Sequence, residues 1–299
     1  MGVLDRFVVA TLPLIPKVVV GKVAARYIAG EKLEDAVRTV RELNADGFRA
    51  TVDVLGEFVT ERSETVANVE KYLQVLDAIS SEKLNSGVSI KLTSVGLSID
   101  KALVRENLRR VLDEAAARDV FVRIDMEDSP YTSETLSIYE EFRENRHLGI
   151  VLQSYLRRTD ADVAGLIERG KSDFRICKGI YVEPEEIAFK DRQEIRDSFL
   201  RAVDRMLAAG SYVGIATHDE YLVIESEKLI RKHDVPATAY EFQMLLGVRP
   251  DLRDEIRRRG HPMRIYVPFG EAWYGYSTRR LKENPQLAGY VFKSMFRVH

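Results

Sequence analysis

The stretch that decides the fold is Val88-Ser-Ile-Lys-Leu92, a short apolar run that carries a lysine near its end. It is one of eight such runs, which begin about 25–40 residues apart along the chain. Strands that are buried on both faces read as near-continuous apolar runs, so each run is a predicted strand. The eight runs are Phe48–Leu55, Val88–Leu92, Val120–Met126, Leu148–Leu152, Phe174–Lys178, Tyr212–Ala216, Ala237–Phe242 and Met263–Val267.

Helical patterns fill the intervals between these runs. The clearest are Glu64–Leu84, Lys101–Arg118, Ser133–Glu144, Glu185–Ala209 and Glu220–Lys232. Alternating strands and helices predict a parallel α/β sheet, and eight units favour a (β/α)8 barrel of the TIM type. The alternative is an open doubly wound sheet, which lacks its usual sign because no G-x-G-x-x-G follows any run.

Composition limits the class of protein. The chain has 299 residues, 45% hydrophobic and 31% charged, with a formal net charge of -2. A nucleic-acid partner is not expected, because such proteins carry a basic footprint. The single cysteine, Cys177, allows no internal disulfide, which fits a reducing, cytoplasmic setting. The five histidines show no metal-ligand spacing, so no metal site is predicted.

The first 45 residues precede the barrel pattern. Phe7–Val20 is mostly apolar, but Pro13, Pro16 and Lys17 interrupt it, so it is too short and too broken for a membrane span. We expect residues 1–45 to form helices that pack on the barrel or touch a membrane surface, with packing favoured. Residues 46–299 then form the barrel with a C-terminal helix, and the whole chain is one domain.

Polar side chains collect at the ends of the runs, whereas the beginnings carry far less polar chemistry. The C-terminal ends of barrel strands converge on one rim, where barrel enzymes place their active sites. Each residue alone could simply cap a helix or pair with a neighbour, but together they favour an enzyme. The ends carry Asp53, Glu57, Lys91, Thr93, Asp125, Glu127, Asp128, Gln153, Lys178, Tyr181, Thr217, His218, Asp219, Glu241, Gln243 and Tyr266.

A pair of arginines follows the eighth run. Arg279 and Arg280 lie early in a predicted helix, with Glu283 one turn later over both of them. Two guanidiniums beside a strand end offer planar forks of donors for a small carboxylate. The alternative is a solvated basic helix face. A lysine that forms a Schiff base is also open, since Lys91 and Lys178 both stand at strand ends.

Together, these motifs resemble the proline dehydrogenase family, in its short monofunctional bacterial form. The resemblance runs from about Arg49 to Asn284, in order and at compatible spacing. The motifs are Asp53-Val-Leu-Gly-Glu57, Ser89-Ile-Lys-Leu-Thr93, Arg123-Ile-Asp-Met-Glu127, Arg175-Ile-Cys-Lys-Gly179 with Tyr181, Ala216-Thr-His-Asp219, Glu241-Phe-Gln243, and Tyr276 with Arg279, Arg280, Glu283 and Asn284.

The resemblance implies a distorted barrel that holds FAD noncovalently at its C-terminal rim. The implied reaction oxidises L-proline to Δ1-pyrroline-5-carboxylate and passes electrons to a membrane quinone. It also implies peripheral contact with the inner membrane and a separate pyrroline-5-carboxylate dehydrogenase that uses the product. Two hypotheses from other classes remain beside it: an aldolase-like lysine enzyme and a flavin-free barrel that only binds amino acids.

The resemblance also implies roles for single residues. Arg279, Arg280 and Lys91 would hold the proline carboxylate, and Glu283 would hold the arginines. Glu57 would pair with Arg279 to close over the substrate, and Tyr266 would pack on the proline ring. Residues implied to contact or support FAD are Asp125, Met126, Gln153, Arg175, Lys178, Gly179, Tyr181, Thr217, His218 and Asp219.

Overall fold

The computed structural model of the chain describes residues 26–274 and Ser277. Eight parallel strands form a closed barrel in chain order, and β1 pairs with β8 to complete it. The predicted (β/α)8 barrel is therefore confirmed. The strands are β1 Arg49–Val54, β2 Ser86–Ile90, β3 Val122–Ile124, β4 Leu148–Gln153, β5 Asp173–Cys177, β6 Tyr212–Ala216, β7 Tyr240–Leu245 and β8 Met263–Phe269.

Helices surround this barrel. They are α1 Leu33–Ala45, α2 Arg62–Ser81, α3 Lys101–Ala117, α4 Ser129–Phe142, α5 Thr159–Glu168, α6 Arg192–Ala208, α7 Glu220–Lys232 and α8 Pro250–Arg258. The α1 helix precedes the first strand and packs on β1 and β8. Within residues 26–274, no helix is both long and apolar enough to cross a membrane. The predicted segment Phe7–Val20 and the predicted C-terminal helix lie outside the described residues.

Alternation along the strands separates an apolar layer from a polar interior. Ile90, Ile124 and Ile215 are fully buried in the core between strands and helices. Burying each such side chain stabilises the fold by about 1.5–3 kcal/mol. Ser89, next to Ile90, and Arg175 on β5 point into the barrel, where they bond to each other across it. The fold is thus held mainly by its outer layer, and the interior is left to polar chemistry.

Several predicted boundaries are wrong, and two of these shifts have a local cause. The helix expected from Glu185 begins at Arg192, because the Asp191 carboxylate accepts hydrogen bonds from the Gln193 and Glu194 amides at 2.8 and 3.0 Å and so caps it. The seventh strand lies three residues later than expected, since a turn in which Ala239 bonds back to Pro236 precedes it.

Candidate active site

A cavity of about 460 Å³ opens at the carboxyl ends of the strands. Every predicted site residue that the structure describes lines it, so the rim prediction identifies one common site. These residues are Glu57, Lys91, Asp125, Met126, Gln153, Arg175, Lys178, Gly179, Tyr181, Thr217, His218, Asp219 and Tyr266. Arg279, Arg280 and Glu283 lie outside the described residues.

Asp125 is the centre of the site. Its Oδ1 accepts hydrogen bonds from the Ser89 hydroxyl at 2.9 Å and from Arg175 Nη1 at 2.8 Å. Its Oδ2 accepts one from the Tyr266 hydroxyl at 2.7 Å, and Lys91 Nζ lies 3.8 Å from the same oxygen. One carboxylate therefore ties together groups from β2, β5 and β8.

Lys91 is held next to a second acid. Its Nζ donates to Asp53 Oδ1 at 2.6 Å, and the Asp53 side chain is fully buried. Burial alone would lower the pKa of Lys91, but neighbouring anions, led by Asp53, hold that pKa well above its usual range. Lys91 is thus a fixed cation at the edge of the cavity.

Arg175 lies across the barrel from Lys91. Its Nε donates to Gln243 Oε1 at 2.6 Å, and its guanidinium carbon lies 5.3 Å from the centre of the Tyr266 ring. Burial lowers the pKa of Arg175, while the adjacent Asp125 opposes that shift. The guanidinium is therefore fixed on several sides, with donors next to the cavity.

A second charged group flanks the cavity around Asp219. Its carboxylate accepts hydrogen bonds from Lys178 Nζ at 2.5 Å and from Arg196 at 2.8 and 2.9 Å, and Arg192 Nη2 lies 3.6 Å away. Burial would raise the pKa of Asp219, but the bonds from Arg196 and Lys178 hold it well below its usual range. Three cations facing one acid leave this side of the cavity positive. Sequence reasoning missed Arg192, whose only signal is its place at the start of α6.

Three uncharged contacts shape the remaining wall. His218 Nε2 accepts a hydrogen bond from the Leu245 amide at 3.0 Å, so a neutral His218 carries its proton on Nδ1. Gln153 Nε2 donates to the Glu127 carbonyl at 2.8 Å. Gly179 has φ +105°, and a Cβ there would meet the Tyr155 ring at 2.1 Å, so only glycine fits.

The loop that carries Glu57 is tied to the strand ends. The Phe58 amide donates to Thr93 Oγ1 at 2.9 Å, although Phe58 has φ +54°, a strained value for a bulky residue. The Thr93 hydroxyl donates to Glu127, which also accepts from the Thr93 amide at 3.0 Å. Burial raises the pKa of Glu127 to about 7. Sequence reasoning placed Thr93 and Glu127 at strand ends but did not link them to this loop.

The opposite end of the barrel is also charged, so the prediction that strand beginnings carry little polar chemistry is wrong. A basal cavity of about 240 Å³ there is lined by Arg49, Arg123, Asp173, Tyr212, Glu241 and Arg264, among others. Glu241 is the second residue of β7, not a rim residue, because the strand begins later than predicted. It accepts hydrogen bonds from Arg264 Nε and, at 3.2 Å, from Arg49. Asp173 pairs with Arg123 at 2.5 Å.

Residues 36–291 match the family described as proline dehydrogenase. The chain belongs to this family. It is 38% identical to proline dehydrogenase 1 of Bacillus subtilis (strain 168), over 92% of this chain and 91% of that protein. It is 35% identical to the proline dehydrogenase of Deinococcus radiodurans, over 92% and 90%. A proline dehydrogenase is an oxidoreductase, and the polar rim of the barrel is in keeping with an enzyme.

A solved structure with the same fold belongs to a much longer protein. Proline utilization A (PutA) from Bdellovibrio bacteriovorus, inactivated by N-propargylglycine, superposes with a TM-score of 0.83 at 25% identity. The match covers 88% of this chain and 32% of that one, so the chain spans about a third of the PutA length. The family membership confirms the resemblance on which the residue roles depend, while the roles themselves stay predictions.

Proposed function

We propose that this proline dehydrogenase oxidises L-proline to Δ1-pyrroline-5-carboxylate with FAD bound in the rim cavity, and passes the electrons to a quinone. The observation that carries the proposal is the cluster of Lys91, Asp125, Arg175 and Tyr266 at one end of that cavity. A fixed cation, a buried guanidinium and an aromatic ring suit a small apolar ring that bears one carboxylate.

The chemistry of the cavity lining suits a dinucleotide cofactor. The cavity volume of about 460 Å³ falls within the usual range of ligand pockets. The positive side at Lys178 and Arg192 suits a pyrophosphate, and the buried donors of Arg175 suit a polar ring system. The residues that would hold FAD are Asp125, Met126, Gln153, Arg175, Lys178, Gly179, Tyr181, Thr217, His218 and Asp219. When bound, FAD would accept the hydride that leaves the proline carbon.

The protein's own contribution would be to orient proline and exclude water. Lys91 would attract the carboxylate as a cation that stays charged, and Tyr266 would hold the ring in place. Arg279 and Arg280, supported by Glu283, would complete the carboxylate clamp, because bidentate pairs fix orientation as well as position. Glu57 would pair with Arg279 to enclose the bound substrate.

The Schiff-base hypothesis is disfavoured by the state of Lys91. A nucleophilic amine needs a lowered pKa so that its lone pair is free near neutral pH. The ion pair with Asp53 raises the pKa of Lys91 instead. The other strand-end lysine, Lys178, is bonded to Asp219 at 2.5 Å.

Visible absorbance of the purified protein tests the proposal. We expect a yellow protein whose flavin bands bleach anaerobically with L-proline and return when a soluble quinone is added. Denaturation should release FAD, since the binding is noncovalent. Arg279→Ala and Arg280→Ala should each keep the flavin but bleach far more slowly, because the carboxylate clamp is lost. A colourless protein, or a yellow one that L-proline does not bleach, would contradict the proposal.

Two parts of the proposal concern partners. The protein would contact the inner membrane peripherally, and a separate pyrroline-5-carboxylate dehydrogenase would take the product. Co-sedimentation with anionic lipid vesicles tests the first. The full chain is compared with a variant in which charged residues replace apolar ones within Phe7–Val20. Conversion of the product by added pyrroline-5-carboxylate dehydrogenase without a lag phase would support the second.

A further inference from the structure

Gln243 is the one side chain besides Arg175 that lines both the rim cavity and the basal cavity in the described part of the chain. Its Oε1 accepts from Arg175 Nε at 2.6 Å, and its Nε2 donates to Glu241 Oε1 at 2.7 Å. Below it, Glu241 accepts from Arg264 and Arg49. A continuous hydrogen-bonded column therefore runs up the barrel axis from Glu241 to Arg175.

The direction of these bonds is determined by charge. An ionised carboxylate only accepts hydrogen bonds, so Glu241 must face the amide NH2 of Gln243. That orientation turns the amide oxygen of Gln243 towards Arg175. The neighbouring Arg264 overcomes the effect of burial and holds the pKa of Glu241 at about 2, so the carboxylate keeps its charge at neutral pH.

The neighbouring strand, β6, leaves space for this column. Gly214 on β6 faces Gln243, and a Cβ there would lie 2.5 Å from Gln243 Nε2. Its φ is not in the left-handed region, so backbone conformation does not require glycine at this position. The space is needed for the Gln243 amide.

We infer that Gln243 is a positioning residue for Arg175, held in its required orientation by Glu241 and given its space by Gly214. The inference rests on the proposed function in one respect, namely that Arg175 faces the bound cofactor. Arg175 also bonds to Asp125 and Ser89 through Nη1, but Gln243 supplies the partner of Nε. Without it, the guanidinium would lose its second anchor and could rotate about the first.

The same contacts argue against a ligand site in the basal cavity. Arg49 and Arg264 are bonded to Glu241, and Arg123 is bonded to Asp173. The basal charges are therefore paired with one another, which suits a role in supporting the residues above them.

Gly214→Ala tests the inference without removing any polar group, because the added methyl can only push the Gln243 amide aside. Gly165→Ala is the matched control, since a Cβ at Gly165 on α5 would meet nothing within 4 Å. Gln243→Met removes both hydrogen bonds at similar volume. The measurements are flavin content, the KM for L-proline, the rate of flavin reduction and the flavin midpoint potential.

We expect Gly214→Ala and Gln243→Met to retain flavin and to change the KM for L-proline by less than about threefold. Flavin reduction should slow at least tenfold, and the midpoint potential should become more negative because a cation near the cofactor favours its reduced form. Gly165→Ala should match wild type. A wild-type rate and potential in both flavin-loaded variants would overturn the inference.

A crystal structure of Gly214→Ala distinguishes failure of this inference from failure of the proposed function. The Arg175 guanidinium should be rotated about its bond to Asp125, with the hydrogen bond from Nε to Gln243 lost, whether or not the protein binds flavin. An unmoved Arg175 would overturn the inference alone, whereas a colourless wild type with a rotated Arg175 in the variant would overturn the proposed function alone.

Discussion

The rim and the base of the barrel interior are built from the same kinds of charged side chain, yet they differ in how completely those charges are paired. At the base, Glu241 is bonded to Arg264 and Arg49 as well as to Gln243. At the rim, Asp53 Oδ2 is buried without a hydrogen-bond partner among the described residues, and Lys91 reaches Asp125 only at 3.8 Å.

This difference indicates which end is support and which is site. Buried polar groups in folded proteins are normally paired, so an unpaired one needs an explanation, and a ligand bound nearby is one explanation at the rim. The rim also has the larger cavity, about 460 Å³ against about 240 Å³ at the base. Incomplete pairing next to the larger space is what a substrate site requires.

The largest expected effect comes from removing the rim cation. Lys91→Met should lower kcat/KM for L-proline by about 30-fold or more, because the loss of a buried charged partner typically costs about 2–5 kcal/mol. The exposed Lys71→Met on α2 is the control and should match wild type. Steady-state kinetics check this, and equal kcat/KM in the two variants would show that Lys91 does not bind the substrate.

The stability of Lys91→Met should depend on pH in a defined direction. Burial already raises the pKa of Asp53, and removing Lys91 takes away the main opposing charge. An acid with a raised pKa in the folded state contributes stability that is present below its unfolded pKa and lost as pH rises through the folded value. The variant should therefore lose stability relative to wild type as pH rises from acid towards neutral in urea unfolding.

The next effect concerns the paired base. The pKa of Glu241 is about 2, against 4.5 for an ordinary glutamate, so its ionisation should stabilise the fold by roughly 3 kcal/mol above pH 4.5. Wild type should lose this contribution as pH falls from about 4.5 to about 2. The free energy of unfolding of Glu241→Gln should lack this part of the pH dependence. Urea unfolding across this range tests it, with Glu106→Gln on the exposed face of α3 as the control.

A smaller effect is expected for substrate choice at the rim. With the carboxylate clamped, Tyr266 should crowd a 4-hydroxyl group, so the enzyme should prefer L-proline over trans-4-hydroxy-L-proline by about 1–3 kcal/mol. Tyr266→Ser should narrow that preference, chiefly by weakening proline. Tyr266→Phe should keep it, because it retains the ring and loses only the bond to Asp125. If the ratio of kcat/KM for L-proline to that for trans-4-hydroxy-L-proline is equal in wild type and Tyr266→Ser, Tyr266 does not determine substrate choice.

The smallest effect should come from the loop tether. Thr93→Val removes the acceptor for the Phe58 amide and the donor to Glu127, at a net cost of about 1 kcal/mol for a hydrogen bond. Amide hydrogen exchange at residues 56–60 should rise about fivefold in this variant. Thr93→Ser keeps the hydroxyl and should exchange like wild type; faster exchange in both variants would show that packing, not the hydroxyl, holds the loop.

Sequence reasoning reached the rim more fully than the base, for a physical reason. Residues such as Lys91 and Asp125 follow apolar runs, and parallel strands bring all such ends to one rim. The barrel prediction followed from the same runs. Their roles, and the cofactor, came from the family resemblance and not from spacing.

What sequence reasoning missed depends on pairing across the barrel. Glu241 was placed at the wrong end because the run was read from Ala237, which lies in the turn after Pro236. Arg175 and Gln243 are 68 positions apart along the chain, and nothing local indicates that they bond. Such contacts follow from strand order and register, which become visible only once the barrel is closed.

The pairing of β1 with β8 also bears on how the protein assembles. Asp53 on β1 is paired in register with Pro268 on β8, so this seam joins opposite ends of the barrel sequence. Pairings this distant carry a large loop-closure entropy and tend to form late. Because Asp53 and Tyr266 stand on either side of the seam, their bonds to Lys91 and Asp125 are not both held in place until the barrel closes. Cofactor uptake should therefore report the last step of folding, and fragments that stop before β8 should bind none.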